Sequence, residues 1–109
     1  AIMITRFAMF EGTIHAGKTD AFRAAVLDEL VPKWQAFSGA DAVRVAFTDE
    51  ADDGAPNFPL ILEIDYADRA TVTAALKSEA RTAAKEATEA LLPRFFDGRI
   101  HHHITTKAV

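Results

Sequence analysis

The chain has 109 residues, half of them apolar and 26% charged, a balance that supports one hydrophobic core and excludes a disordered chain. Its formal net charge of −4, without a long basic run, argues against nucleic acid or an anionic membrane as a partner. Cysteine is absent, which excludes disulfides, thiolate metal ligands and a thiol nucleophile.

The first element is "IMITRFAMF" (2–10), β-branched, apolar and aromatic, and of strand length. Gly12 and Gly17 bracket a loop that holds His15 and Lys18. Thr19 or Asp20 can cap a helix through "AFRAAVLDELVPKWQAF", in which Phe22, Val26 and Leu30 share a face widened by Leu27, Val31 and Trp34. Pro32 removes one backbone donor from that pattern and predicts a kink or loosened last turns, and Ser38-Gly39 stops the helix. "DAVRVAF" (41–47) alternates as a second strand. The acidic "TDEADDGAPN" (48–57) lacks the register of a calcium loop and reads as a solvated hairpin tip. "FPLILEIDY" (58–66) is a third strand, with Pro59 near its start. Asp68 caps a helix containing Val72, Ala75 and Leu76; Ser78 caps a second segment in which Ala80, Ala84, Ala87 and Leu91 recur at helical spacing. Pro93 ends that helix, Asp97-Gly98 turns, and "RIHHHITT" (99–106) is the last strand.

The order β-α-β-β-α-β, with two right-handed crossovers and a central hairpin, predicts an α+β ferredoxin-like fold. It is an antiparallel four-stranded sheet with the helices on one face. Strands one and three take the centre, the last lies beside the first and the second beside the third. Period two then sorts the side chains. Phe58, Leu60, Leu62, Ile64 and Tyr66 face the helices with Val43, Val45, Phe47, Ile100, His102 and Ile104. The opposite face is expected to collect Arg6, Arg44, Glu63, His101 and His103 among Ile4, Ala8, Phe10, Ala46 and Ile61. That mixture suits a half-polar cavity under a partner's sheet.

His101 and His103 point the same way and can reach one ion. The same-face third ligand would be Glu63, which the central first strand holds apart, so no metal is expected. A neutral imidazole can instead exchange protons near physiological pH. Arg6 can hold a carboxylate, phenolate or enolate oxygen, or pair with Glu63 as structure. His15 lies in a loop of the kind that rims pockets, and Trp34, Phe37 and Tyr66 can wall an apolar one. No run approaches the ~18 apolar residues of a spanning helix. No leader pattern precedes the first strand, so the expected location is cytoplasmic.

In "MITRFAMFEG", "ELVPKWQAFSGADAVRV", "PLILEIDYADRATVTAAL", "KSEA" and "FFDGRIHHHI" the chain resembles the dimeric α/β-barrel superfamily. Within it the EthD-like group is most similar, and the antibiotic-biosynthesis monooxygenases more distantly so. The resemblance covers essentially the whole chain as topology and texture. It implies a dimeric α/β barrel whose protomers pack sheet against sheet, each with a small pocket between sheet and helices or loops. It also implies activities ranging over cofactor-free oxygenation, isomerisation, lactone and polyketide-ring chemistry, and haem handling.

The expectation is therefore a single EthD-like domain over residues 1–109, a homodimer through the open sheet face. It would bind a small, partly aromatic or polyketide-like metabolite and oxidise, isomerise or cyclise it without a cofactor. His101 and His103 would move protons and Arg6 would hold the oxyanion, with His15, Trp34, Phe37, Arg44, Glu63 and Tyr66 around the substrate. The alternative is a non-catalytic ligand-binding or accessory dimer in which the same residues merely fix the interface.

Overall fold

A computed structural model describes residues 3–109. Four strands, β1 (Ile4–Ile14), β2 (Ala42–Phe47), β3 (Leu60–Tyr66) and β4 (Phe96–Thr106), form one antiparallel sheet in the order β2-β3-β1-β4. The β-α-β-β-α-β order and the predicted strand neighbours are both present. Ile2, placed in the first strand from its sequence, lies outside the described residues.

Closure into an α/β barrel is overturned. The sheet is open, with β2 and β4 at its two ends. The reason is geometric: about eight strands are needed before a closed sheet has an interior just wide enough for its side chains.

The first helical stretch comprises α1 (Thr19–Ala25), a π-helical turn (Val26–Leu30) and α2 (Val31–Gln35). The expected disturbance at Pro32 takes a definite form. The Val31 N–H reaches back five residues to the Val26 carbonyl, and the widened turn ends at Leu30, two residues before the proline. A regular α-helix would press the Pro32 ring against the carbonyl four residues earlier; the wide turn relieves that clash. Phe22, Val26, Leu30, Trp34 and Phe37 are all buried, whereas Leu27, expected on the same face, is 51% exposed.

Both predicted caps of the second crossover are present. Asp68 accepts from the Thr71 N–H at 2.8 Å and starts α3 (Arg69–Leu76). Ser78 accepts from the Arg81 N–H at 3.2 Å and starts α4 (Glu79–Phe95). Pro93 does not end α4, which runs two residues further.

Nor do Asp97 and Gly98 form a turn. They extend β4, and β1 and β4 pair along eleven residues each, from Ile4↔Thr106 to Ile14↔Phe96. Gly12 and Gly98 face each other at this crossing, so close that a Cβ on Gly98 would lie 2.8 Å from the Gly12 Cα. The twisted ribbon needs two residues without side chains there.

The core lies between the helices and one sheet face. Its centre is Leu60, Ile64 and Tyr66 of β3, Phe22, Val26 and Leu30 of the first helical stretch, and Leu91 of α4. The register corrects the expected face of β1. Ile4, Arg6, Ala8 and Phe10 stand opposite Tyr66, Ile64, Leu62 and Leu60, and directly opposed residues share a face. Ile4, Ala8 and Phe10 are therefore buried under the helices, and Arg6 goes with them.

Candidate functional site

The reversal of β1 separates the polar residues into two sets. Arg6 opposes Ile64 and Ile104, while Ala8 opposes His102, so Arg6 and His102 share the helix side of the sheet. Phe7 opposes His103 and Met9 opposes His101, which leaves those two histidines on the open side. The expected constellation of Arg6 with His101 and His103 is not brought together.

On the helix side a cavity of about 150 Å³ opens between the sheet, the end of α2 and α4. Its apolar wall includes Phe10, Trp34, Phe37, Leu62, Ile64 and Ile100. The Phe10 and Trp34 rings lie 6.4 Å apart at a tilt. Trp34 and Phe37 are thus at a pocket, whereas Tyr66 is wholly buried on the same face without lining it. Polar residues enter from three elements: Arg6 on β1, His102 on β4, and Arg81, Lys85, Thr88 and Glu89 on α4. The α4 residues follow helical spacing, so the Ser78 cap that starts α4 also sets where Arg81 meets the cavity. Thr88 spends its hydroxyl proton within the helix, on the Ala84 carbonyl at 2.7 Å.

The electrostatics of this cavity are unbalanced. Among the described residues no carboxylate lies within ion-pair distance of Arg6, Arg81 or Lys85. Burial, then the Arg81 charge, holds the Arg6 guanidinium below its usual pKa. His102 lines the cavity at its edge and is exposed. Burial of part of its ring, followed by the charges of Arg6, Arg81 and His101, lowers its pKa to about 4. Its imidazole is consequently neutral at physiological pH, with a free ring nitrogen that is a weaker base than that of an ordinary histidine. Burial raises the Tyr66 phenol above its usual range, and Tyr66 Oη has no hydrogen-bond partner among the described residues.

The open face is built differently. Asp65 is 5% exposed and accepts from Arg44 at 2.6 and 2.8 Å and from the Thr5 hydroxyl at 2.7 Å. The two-pronged Arg44 contact, above all, draws the Asp65 pKa down to about 2. Glu63 accepts from Arg44 at 3.3 Å, so its cationic partner is Arg44 and not Arg6. His101 is engaged: Nε2 lies 2.7 Å from Glu11 Oε1, and the ring meets Phe58 edge-on at 6.4 Å. His103 is exposed. His15, in the loop after β1, bonds Asp97 at 3.1 Å and does not line the cavity. Among the described residues no group of three or more His, Asp or Glu side chains is gathered as a metal site. No helix among them is long and apolar enough to cross a membrane.

Arg81, Lys85, Thr88 and Glu89 were not legible as site residues from sequence. The alanine repeat of α4 marks a packing face, and the polar residues beside it had no role assigned from their pattern. Arg81, Ala84, Lys85 and Thr88 do share one helical stripe, and that stripe was the available signal.

No family model matches the chain, and no curated protein does. Solved structures do. An ethyl tert-butyl ether D (EthD) family protein from Bacillus halodurans C-125 superposes with a TM-score of 0.71 at 17% identity, over 91% of this chain and 96% of that one. SnoaB, a cofactor-independent oxygenase from Streptomyces nogalater, gives 0.63 at 13%, over 98% and 94%. A dimeric ferredoxin-like protein of unknown function from Thermobifida fusca YX gives 0.64 at 13%, over 100% and 92%. At these identities what is shared is the α+β ferredoxin-like fold.

Proposed function

We propose that this protein is a small-metabolite enzyme of EthD-like type whose reaction begins with proton transfer in the cavity between sheet and α4. The observation that carries the reading is that a histidine, His102, and an arginine without a carboxylate partner among the described residues, Arg6, line one largely apolar cavity. His102 would take a proton from an acidic C–H or O–H of a partly aromatic or polyketide-like substrate, and the Arg6 guanidinium would hold the oxygen on which charge develops. Return of that proton to a different atom completes an isomerisation. The same ionised intermediate is the starting point for cyclisation or for cofactor-free reaction with dioxygen. The likeness in fold to a cofactor-independent oxygenase supports that range of chemistry.

The sequence pattern placed proton transfer on His101 and His103. His102 is the better candidate, since it shares the cavity with Arg6, whereas His101 is tied to Glu11. The test is turnover of small phenols and cyclic 1,3-dicarbonyl compounds without added cofactor, followed by product analysis and oxygen uptake. His102→Gln is expected to lower the rate by ~10²-fold or more, the usual range for a lost general base. An unchanged rate in that variant would remove His102 from the mechanism. Ligand binding without turnover in the wild type would favour the accessory-protein alternative.

The chain is further proposed to pair with a second copy through its open sheet face. Phe7, Met9 and Ile61 are half-buried there, around the polar set of Arg44, Glu63 and Asp65. The fold's occurrence as a dimer in Thermobifida fusca supports it. Light scattering should give twice the 11.9 kDa chain mass; a monomer at micromolar concentration would end the proposal.

A further inference from the structure

The charges around the cavity say more than that it binds something small. Arg6 from β1 and Arg81 from α4 enter from opposite walls, with Lys85 one turn beyond Arg81. Glu89 supplies the single carboxylate on the lining, and it pairs with none of the three cations. His102, the remaining titratable group there, adds no charge when neutral. Partial burial and the Arg81 charge both act against the Arg6 cation, and neither guanidinium has a carboxylate partner among the described residues. An incoming anion offsets the first and supplies the second. A neutral ligand does neither.

The volume sets the size. An apolar cavity of about 150 Å³ accommodates a benzene ring, and the Phe10–Trp34 wall with Leu62 and Ile64 offers that ring an apolar seat. A planar guanidinium fork matches the two oxygens of a carboxylate.

We infer that the cavity selects a monocyclic aromatic carboxylate, its ring against Phe10 and Trp34 and its two oxygens on the Arg81 fork, with Arg6 left to the oxygen on which charge develops. The inference rests on reading this cavity as the substrate site, and it narrows the substrate from a partly aromatic metabolite to an organic anion of one ring. In this arrangement Arg81 is a specificity residue. It holds a carboxylate that persists through the reaction, while His102 at the cavity edge faces the part of the substrate that extends beyond the ring.

Trp34 is the sole tryptophan of the chain and lines the cavity, so its fluorescence reports occupancy directly. Benzoate and benzamide, which match in size and ring and differ in charge, are the probes. Benzoate is expected to give a saturable change with a Kd at least tenfold below that of benzamide. Arg81→Gln should abolish this preference while leaving benzamide binding in place. Lys77→Gln, which removes a cation away from the cavity, should preserve it. Equal affinity for the two probes, or a preference that survives Arg81→Gln, overturns the inference and leaves the cavity reading standing. Failure of both probes to perturb Trp34 overturns the cavity reading and this inference together. His102→Gln should keep the preference for benzoate, so loss of the proposed proton transfer and loss of anion selection are separately visible.

Discussion

Replacing Asp65 by Asn tests the network that organises the open sheet face. Asp65 is almost fully buried, and its carboxylate takes two hydrogen bonds from Arg44 and one from Thr5. These contacts lower its pKa from 3.8 to about 2. Each unit is worth ~1.4 kcal/mol, so the ionised carboxylate adds about 2 kcal/mol to stability at neutral pH. The sign follows from the direction of the shift. The folded pKa lies below the unfolded one, so this stabilisation is complete above about pH 4 and is lost as pH falls through about 2. Asp65→Asn keeps the shape but loses the charge, and it turns an amide N–H toward the Arg44 donors. Urea unfolding at fixed protein concentration should show the variant weaker by about 2 kcal/mol at neutral pH. The difference should shrink toward zero as both proteins approach about pH 2. A loss below ~0.5 kcal/mol, or a gap that stays constant into acid, would show that the network adds nothing measurable and refute the reasoning.

Three further outcomes are expected. In NMR titration the His102 ring should have its midpoint near 4, and Arg81→Gln should raise it by removing a repelling charge; a midpoint near the ordinary 6.5 would mean the ring is solvated. Because this pKa is lowered on folding, His102 opposes stability as pH falls from about 6.5 toward about 4, the unfolded chain taking up the proton first. Gly98→Ala would drive a Cβ into the Glu11 carbonyl and the Gly12 Cα across the ribbon, backbone atoms that cannot swing aside. A cost of ~1–3 kcal/mol, seen as a lower Tm by circular dichroism, is expected, and an unchanged Tm would contradict the close approach. His101→Ala should lower Tm through loss of the Glu11 and Phe58 contacts while retaining turnover; loss of turnover with the fold intact would return proton transfer to the open face.

Much of the fold is written in local pattern. The alternation of 41–47, the apolar run of 58–66 and the caps at Asp68 and Ser78 each act within a few residues, and each appears where the pattern put it. Pro32 announced a disturbance because a missing donor is a property of the residue itself. The conformation that absorbed it, a π turn ending at Leu30, depends on keeping Phe22, Val26, Leu30 and Trp34 on the buried side together. Asp97-Gly98 shows the opposite failure. The dipeptide has turn chemistry, yet Gly98 serves the crossing with Gly12, a partner eighty-six residues away.

The candidate site divides in the same way. Arg6, Trp34, Phe37 and the parity of the three histidines were available from the sequence, because period two within one strand is a local property. Which face of β1 is buried was not, since Ile4, Ala8 and Phe10 compete with Phe7 and Met9 as equally apolar sets. Pairing with β3 and β4 decides it, by setting Arg6 beside Ile64 and Ile104 and burying Ile4, Ala8 and Phe10 on the helix side. That one choice moves Arg6 from the company of His101 and His103 to that of His102 and Arg81. Local sequence determined the elements and the spacing of the chemistry along them; long-range strand pairing and helix packing determined which of those groups meet.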